Sequence, residues 1–348
     1  MDFMPDYNNM IKAARNIKPD RMPLYEHIIC VEIMEKIMSK DFGNLMKGNL
    51  TDKKEFFRNY TNFFKTMGYD TVSFEGCITD ILPGGGALGR HQPGAIKNRE
   101  DFEKYPWESL HDIFFNAYGE DFEALKDVMP DGMKALGGPG NGVFECVQDL
   151  VGYMDLCYIS VDDPELYADL FKRVGSIIRS IWSTFLRKYG DIYAVCRFGD
   201  DLGFKTSTLI SSKDIKIHII PQYKSIVDIV HSYNKPFLLH SCGKIFEVME
   251  DIINIAKIDA KHSNEDGIAA FSEWVNRYGE RIGNFGGIDT DTLCQQSQST
   301  IKERVKEVVA YSINKGGFAL GSGNSIPNYV PVEGFLAMIE IGRNLRGE

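Results

Sequence analysis

The chain has 348 residues, 43% of them hydrophobic and 25% charged, and its 49 acidic against 39 basic side chains leave a formal net charge of −10. This is an ordinary globular composition with ample apolar material for a core, and it excludes a nucleic-acid partner, because phosphate binding needs a concentrated basic face that the sequence lacks. No uninterrupted apolar run approaches the roughly 20 residues of a bilayer span, MDFMPDYNNM at the start has no signal-peptide regions, and seven cysteines without framework spacing fit reduced thiols. A cytoplasmic protein is expected.

Along the chain one pattern recurs, in which a short apolar run ends in polar or glycine-rich residues and a longer amphipathic segment follows. The runs are RMPLYEHI (21–28), YDTVSFEG (69–76), GMKALGGPG (132–140), DIYAVCRFGDDLG (191–203), KPFLLHSCG (235–243), IDAKHSNEDG (258–267), RIGNFGGID (281–289) and GGFALGSGN (316–324). Between them DKKEFFRNYTNFFKTMG, DPELYADLFKRVGSIIRSIWSTFLRKYG, SIVDIVHSYN, IFEVMEDIINIA and STIKERVKEVVAYSINKG place apolar residues at helical spacing, several ending in Gly or Asn. Alternation of this kind implies parallel strands. Eight repeats predict an α/β fold, a (β/α)8 TIM barrel with an N-terminal helical extension, and a single domain over 1–348. The segment 81–110, rich in Gly and Pro, fits neither element and predicts a long loop acting as a lid over the barrel mouth.

A barrel of this kind gathers the last residues of its strands on one rim, where such enzymes keep their chemistry. The rim would hold Glu26 and His27, Glu75, Gly138 to Asn141, Asp200 and Asp201, His240 and Cys242, His262, Glu265 and Asp266, Asp289, Ser322 and Asn324. His240 and Cys242 alternate by two, so on extended backbone both side chains leave on one face, and imidazole nitrogen with thiolate suits Zn²⁺. The competing reading is a buried imidazole beside a packed thiol. Asp200 and Asp201 could instead cap a helix, and Asp289 could do the same; Glu75 has no evident capping role. Phe74, Phe198, Phe204 and Tyr329 could stack on an aryl ring, although such residues are more often core.

The Gly-rich lid, R-x-P at the first strand, the FGDD turn, LLHSCG, GGID and GGFALGSGNSIPNYVP together resemble the uroporphyrinogen decarboxylase superfamily over nearly the whole chain. The H-x-C element is similar to that of its zinc-dependent, corrinoid-linked methyltransferase branch. True decarboxylases carry an arginine-rich stretch where this chain reads Leu24-Tyr25-Glu26-His27-Ile28. The resemblance implies zinc on His240 and Cys242. Members acting on a thiol bring a second cysteine from the last strand, and this chain has Asn324 there, so either Asn324 or a carboxylate such as Glu75, Asp200 or Glu265 would complete the shell, or the metal is lost.

What the resemblance then implies is a methyltransferase that moves methyl from a small methylated donor, such as a methoxylated aromatic, to the Co(I) corrinoid of a separate corrinoid protein. Glu75, Asp200 and Glu265 would serve catalysis, and Glu26, His27, Phe198, His262 and Asn324 would bind substrate. Methyl transfer to a thiol or folate, a divergent decarboxylase, and a non-catalytic binding protein are the alternatives.

Overall fold

In the computed structural model, which describes residues 3–348, seven strands form one parallel sheet in sequential order. They are β1 (Thr71–Cys77), β2 (Lys134–Gly140), β3 (Tyr193–Gly199), β4 (Phe237–His240), β5 (Ala260–His262), β6 (Gly283–Ile288) and β7 (Phe318–Ser322). Parallel neighbours need crossovers, and helices supply them: Leu110–Val128 and Pro164–Tyr189 lead into β2 and β3, and Ile220–Ser232 into β4. β3 is buried at every position, as expected of a strand covered on both faces.

The expected strand at 21–28 is the exception. It is an extended segment held by single bridges, Leu24 to Leu320 and Ile29 to Ile326. Tyr25 donates its N–H to the Leu320 carbonyl at 2.8 Å, and Leu320 donates to Pro23 at 3.0 Å. Toward β1 the contact is a side chain, Ser73 Oγ donating to the Glu26 carbonyl. Pro23 has no N–H, which removes a ladder donor at the start of the run. The segment thus stands between β7 and β1 and curls the sheet without extending its ladder.

Apolar side chains fill two layers. The larger lies between sheet and helices; the smaller lies inside the curl, where Tyr25, Leu136, Val195, Leu238 and Phe285 meet Met10, Ala13 and Ala14. Those last three come from the helix Asn8–Ala14, which packs on β3, β6 and β7 as an N-terminal plug. A Cβ at Gly317 would lie 1.9 Å from the Ala13 carbonyl oxygen, so this close approach needs glycine.

Within 81–110 the chain forms a short helix, Arg99–Lys104, and the irregular part is strapped to the end of the helix Val143–Val151. Asp149 accepts the N–H groups of Gly86 at 2.8 Å and Leu88 at 3.1 Å, and Ile96 N–H reaches the Leu150 carbonyl at 3.0 Å. These bonds anchor the loop to one helix end. Among the described residues, no helix is long and apolar enough to cross a membrane.

Candidate metal centre

The register sets the site. Gly199, His240 and His262 are direct partners across β3, β4 and β5, so three strands end level, and the residues that follow them share one rim. Two imidazoles meet there: His240 Nδ1 lies 2.8 Å from His262 Nδ1, and His262 Nε2 lies 3.0 Å from the Ser322 carbonyl. A carbonyl only accepts, so His262 carries its proton on Nε2 and offers Nδ1 as acceptor. His240 must then donate from Nδ1. The relay leaves a bare lone pair on His240 Nε2.

That lone pair faces Cys242 Sγ at 3.5 Å and Asp201 Oδ1 at 3.8 Å. Asp201, His240 and Cys242 each bring one donor atom within 4.8 Å of the others. Imidazole, thiol and carboxylate are the ligand types that Zn²⁺ takes, and an outer carbonyl fixing the imidazole tautomer is what such a ligand requires. His27, His240 and His262 form a second cluster, but its His240–His262 contact consumes both Nδ1 atoms in a hydrogen bond. The first cluster fits an ion better.

Electrostatics keeps these rings neutral. Burial pushes His262 down to about 3, and it holds His240 and His27 well below the usual imidazole range, with the neighbouring histidines adding to the effect. The Cys242 thiol is pushed up, first by burial and then by the Asp201 carboxylate, while a hydrogen bond from Ser263 opposes. Ser263 Oγ donates to Sγ at 3.3 Å and Asn324 Nδ2 at 3.4 Å, and the Cys242 N–H donates to Asp201 Oδ1 at 2.8 Å. Ser263 is held at φ +98°, and its carbonyl receives the buried Lys261 Nζ, which lies 3.7 Å over the Trp274 ring.

Asp200 is wholly buried and caps the helix Val143–Val151, accepting from Phe144 N, Glu145 N and Tyr223 Oη at 3.0, 2.7 and 2.5 Å. Glu75 neutralises the fully buried Arg197 at 2.6 Å. Glu26 accepts from Ser322, and burial raises its carboxyl to about 8. His27 stacks on His240, centroids 3.7 Å apart, with Nδ1 unpartnered among the described residues.

Phe198 lies in the core against Tyr223 and Phe237, away from the rim, because the parity of β3 turns it toward the helices. Glu265 and Asn324 line a cleft of about 350 Å³ that adjoins the centre. Asp289 caps the helix Thr290–Gln295. Asp201 was legible only as half of the FGDD doublet; adjacent residues point opposite ways, so one carboxylate caps a helix while the other meets Cys242.

This α/β architecture with a histidine, cysteine and aspartate at its strand ends has known counterparts. The family model for uroporphyrinogen decarboxylase (URO-D) matches residues 8–345, and the chain belongs to that family. A search of curated proteins finds no match to the sequence. Among solved structures, a methyltransferase from Methanosarcina mazei is similar at TM-score 0.73 and 14% identity, covering 98% of this chain and 99% of its own. A putative vitamin-B12 independent methionine synthase from Listeria monocytogenes is similar at TM-score 0.50 and 13% identity, covering 96% and 99%. At these identities the likeness is one of fold.

Proposed function

We propose that the protein is a zinc-dependent methyltransferase that takes methyl from a small methylated donor, with the Co(I) corrinoid of a separate corrinoid protein as acceptor. The observation that carries this reading is the free Nε2 lone pair of His240, aimed at Cys242 and Asp201 by a two-imidazole relay. His240, Cys242 and Asp201 would hold the zinc, which supplies Lewis acidity to the donor heteroatom when bound.

The chain's own residues do the rest. Ser263 and Asn324 direct hydrogen bonds at the Cys242 sulfur, which favours its thiolate form, and Asn324 occupies the place where the resemblance leads one to expect a second cysteine. A carboxylate in the ligand set in place of a thiolate leaves a harder, more acidic centre, suited to polarising the donor heteroatom that gives up its methyl group. The irregular stretch of 81–110 would cover the bound substrate, and the curled sheet with its N-terminal segment would act as one (β/α)8-type domain in the cytoplasm.

Metal analysis tests the reading. The purified protein should hold about one zinc, and His240→Ala with Cys242→Ser should hold none while remaining folded by circular dichroism; full zinc occupancy in that double variant defeats it. A decarboxylase acting on many carboxylates is disfavoured by the acidic residues at the rim, since Glu265, Asp289 and Asp291 line the adjoining cleft.

A further inference from the structure

The cleft of about 350 Å³ beside the centre is lined by Lys205, Asn264, Glu265, Asp289, Thr290 and Asp291, with Asn324 forming the wall shared with Cys242. Its size suits a small ligand. Its lining is mostly polar, and Tyr329, 71% exposed, is the one aromatic residue in it. An aryl ring would find little to stack on.

One lining side chain is buried and incomplete. Asn264 is 4% exposed; its Oδ1 accepts the Gly287 N–H at 3.0 Å, which fixes the amide orientation, and its Nδ2 has no partner among the described residues. A buried donor left unmade costs about 1–3 kcal/mol. Thr290 Oγ1 is in the same condition. Both call for an acceptor from outside the chain.

The charges narrow what that acceptor belongs to. Asp289 already accepts from Asp266 N and Asp291 N, and Asp266 pairs with Arg304 at 3.0 Å. Glu265 and Asp291 have no ion pair among the described residues, and neither has Lys205. A simple anion would meet two unpaired carboxylates; a simple cation would leave Asn264 unmet. A ligand carrying both charges satisfies the set.

We propose that this cleft seats the non-reacting end of the substrate and takes a zwitterionic, amino-acid-like head group, the ammonium against Glu265 and Asp291 and the carboxylate against Asn264 and Lys205. The proposal rests on the metal-centre reading, because the head group's value lies in placing a heteroatom at the Cys242 side of the cleft.

Calorimetry with four methyl thioethers tests it: S-methyl-L-cysteine, 2-(methylthio)ethylamine, 3-(methylthio)propionate and thioanisole. The zwitterion should bind at least tenfold more tightly than the other three. Glu265→Gln with Asp291→Asn should remove its advantage over 3-(methylthio)propionate. Asn264→Asp, which keeps an acceptor for Gly287 N–H but loses the donor, should weaken it about tenfold, the scale of one hydrogen bond to a charged group. Equal or tighter binding of thioanisole, no binding by any of the four, or unchanged affinity in the variants overturns the proposal. The preference should survive in Cys242→Ser. Zinc held by the wild-type protein with no zwitterion preference therefore sinks this inference alone, and a zwitterion preference in a wild-type protein that holds no zinc sinks the metal reading alone.

Discussion

Two polar clusters lie in the same curled sheet, one on β1 and β3 and the other at the ends of β3, β4 and β5, and they are built on opposite rules. Inside the curl, Arg197 is wholly buried yet complete: Glu75 takes its charge, and Tyr25 Oη and Ser73 Oγ accept from Nη1 at 3.0 and 3.4 Å. At the rim, the His262–His240 relay ends on a nitrogen with no proton, facing a thiol and a carboxylate. In the closed cluster every guanidinium nitrogen has a partner within the protein. The open one stops one partner short. Satisfaction is therefore a better guide to function here than charge, since the most heavily charged buried group is structural.

Acid should separate the two most strongly. The imidazoles of His27, His240 and His262 are held neutral, so each folded-state value lies below its unfolded value. Their contribution is present above about 6.5 and lost as pH falls, through about 3 for His262. Glu26 works the other way: its folded value of about 8 lies above the unfolded one, so its contribution is present below about 4.5 and lost as pH rises through 8. Between 4.5 and 6.5 the buried carboxyls of Glu26, Glu145 and Asp200, all raised by burial, oppose the three histidines, so the imidazole effect is read against a His262→Phe variant. On acidification the metal-free protein should lose up to about 1.4 kcal/mol per pH unit more than that variant, for the one proton that only the unfolded His262 takes up. Urea midpoints with the same pH dependence in both proteins would contradict the neutral-ring assignment.

Breaking the closed cluster is the next largest effect. Arg197→Met strands Glu75, and removing one partner of a buried pair costs about 3–5 kcal/mol. Arg197→Met with Glu75→Gln should recover much of that loss in chemical denaturation, while zinc content stays unchanged in both. If zinc is lost along with stability, the clusters are not independent. In the open cluster, His262→Phe removes no proposed ligand but abolishes the acceptor for His240 Nδ1–H. Outer partners of this kind are worth about 10–100-fold in metal affinity, and a competition titration with a zinc chelator reads it directly.

How much of this the sequence carried depends on range. The alternation of His240 and Cys242 is local, and so is the strand–helix rhythm, with seven of the eight expected strands in place and in order. Pro23 is also local, and it marks why the eighth run forms bridges only. What could not be read is register: nothing within β4 or β5 says that His240 stands opposite His262. Without that pairing the relay is invisible, and His262 reads as a substrate group. Likewise the FGDD doublet names two carboxylates but not which one turns inward, and Phe198 looks like a rim aromatic until strand parity buries it.

The smallest test concerns Ser263, where backbone and site meet. Its φ of +98° lies in a region that L side chains rarely adopt, and Lys261 Nζ holds its carbonyl. The hydroxyl on Cys242 Sγ favours the thiolate, so its loss should make the sulfur harder to deprotonate and zinc binding a few-fold weaker, the effect of roughly 0.5–1 kcal/mol. Ser263→Ala and Ser263→Gly remove that hydroxyl equally, but only glycine relieves the dihedral. The two variants should share one zinc affinity and differ in stability, with glycine the more stable by up to about 1 kcal/mol. Equal stability would mean that the positive φ stores no strain, and unequal affinity would mean that the Ser263 backbone, rather than its hydroxyl, sets the position of the sulfur.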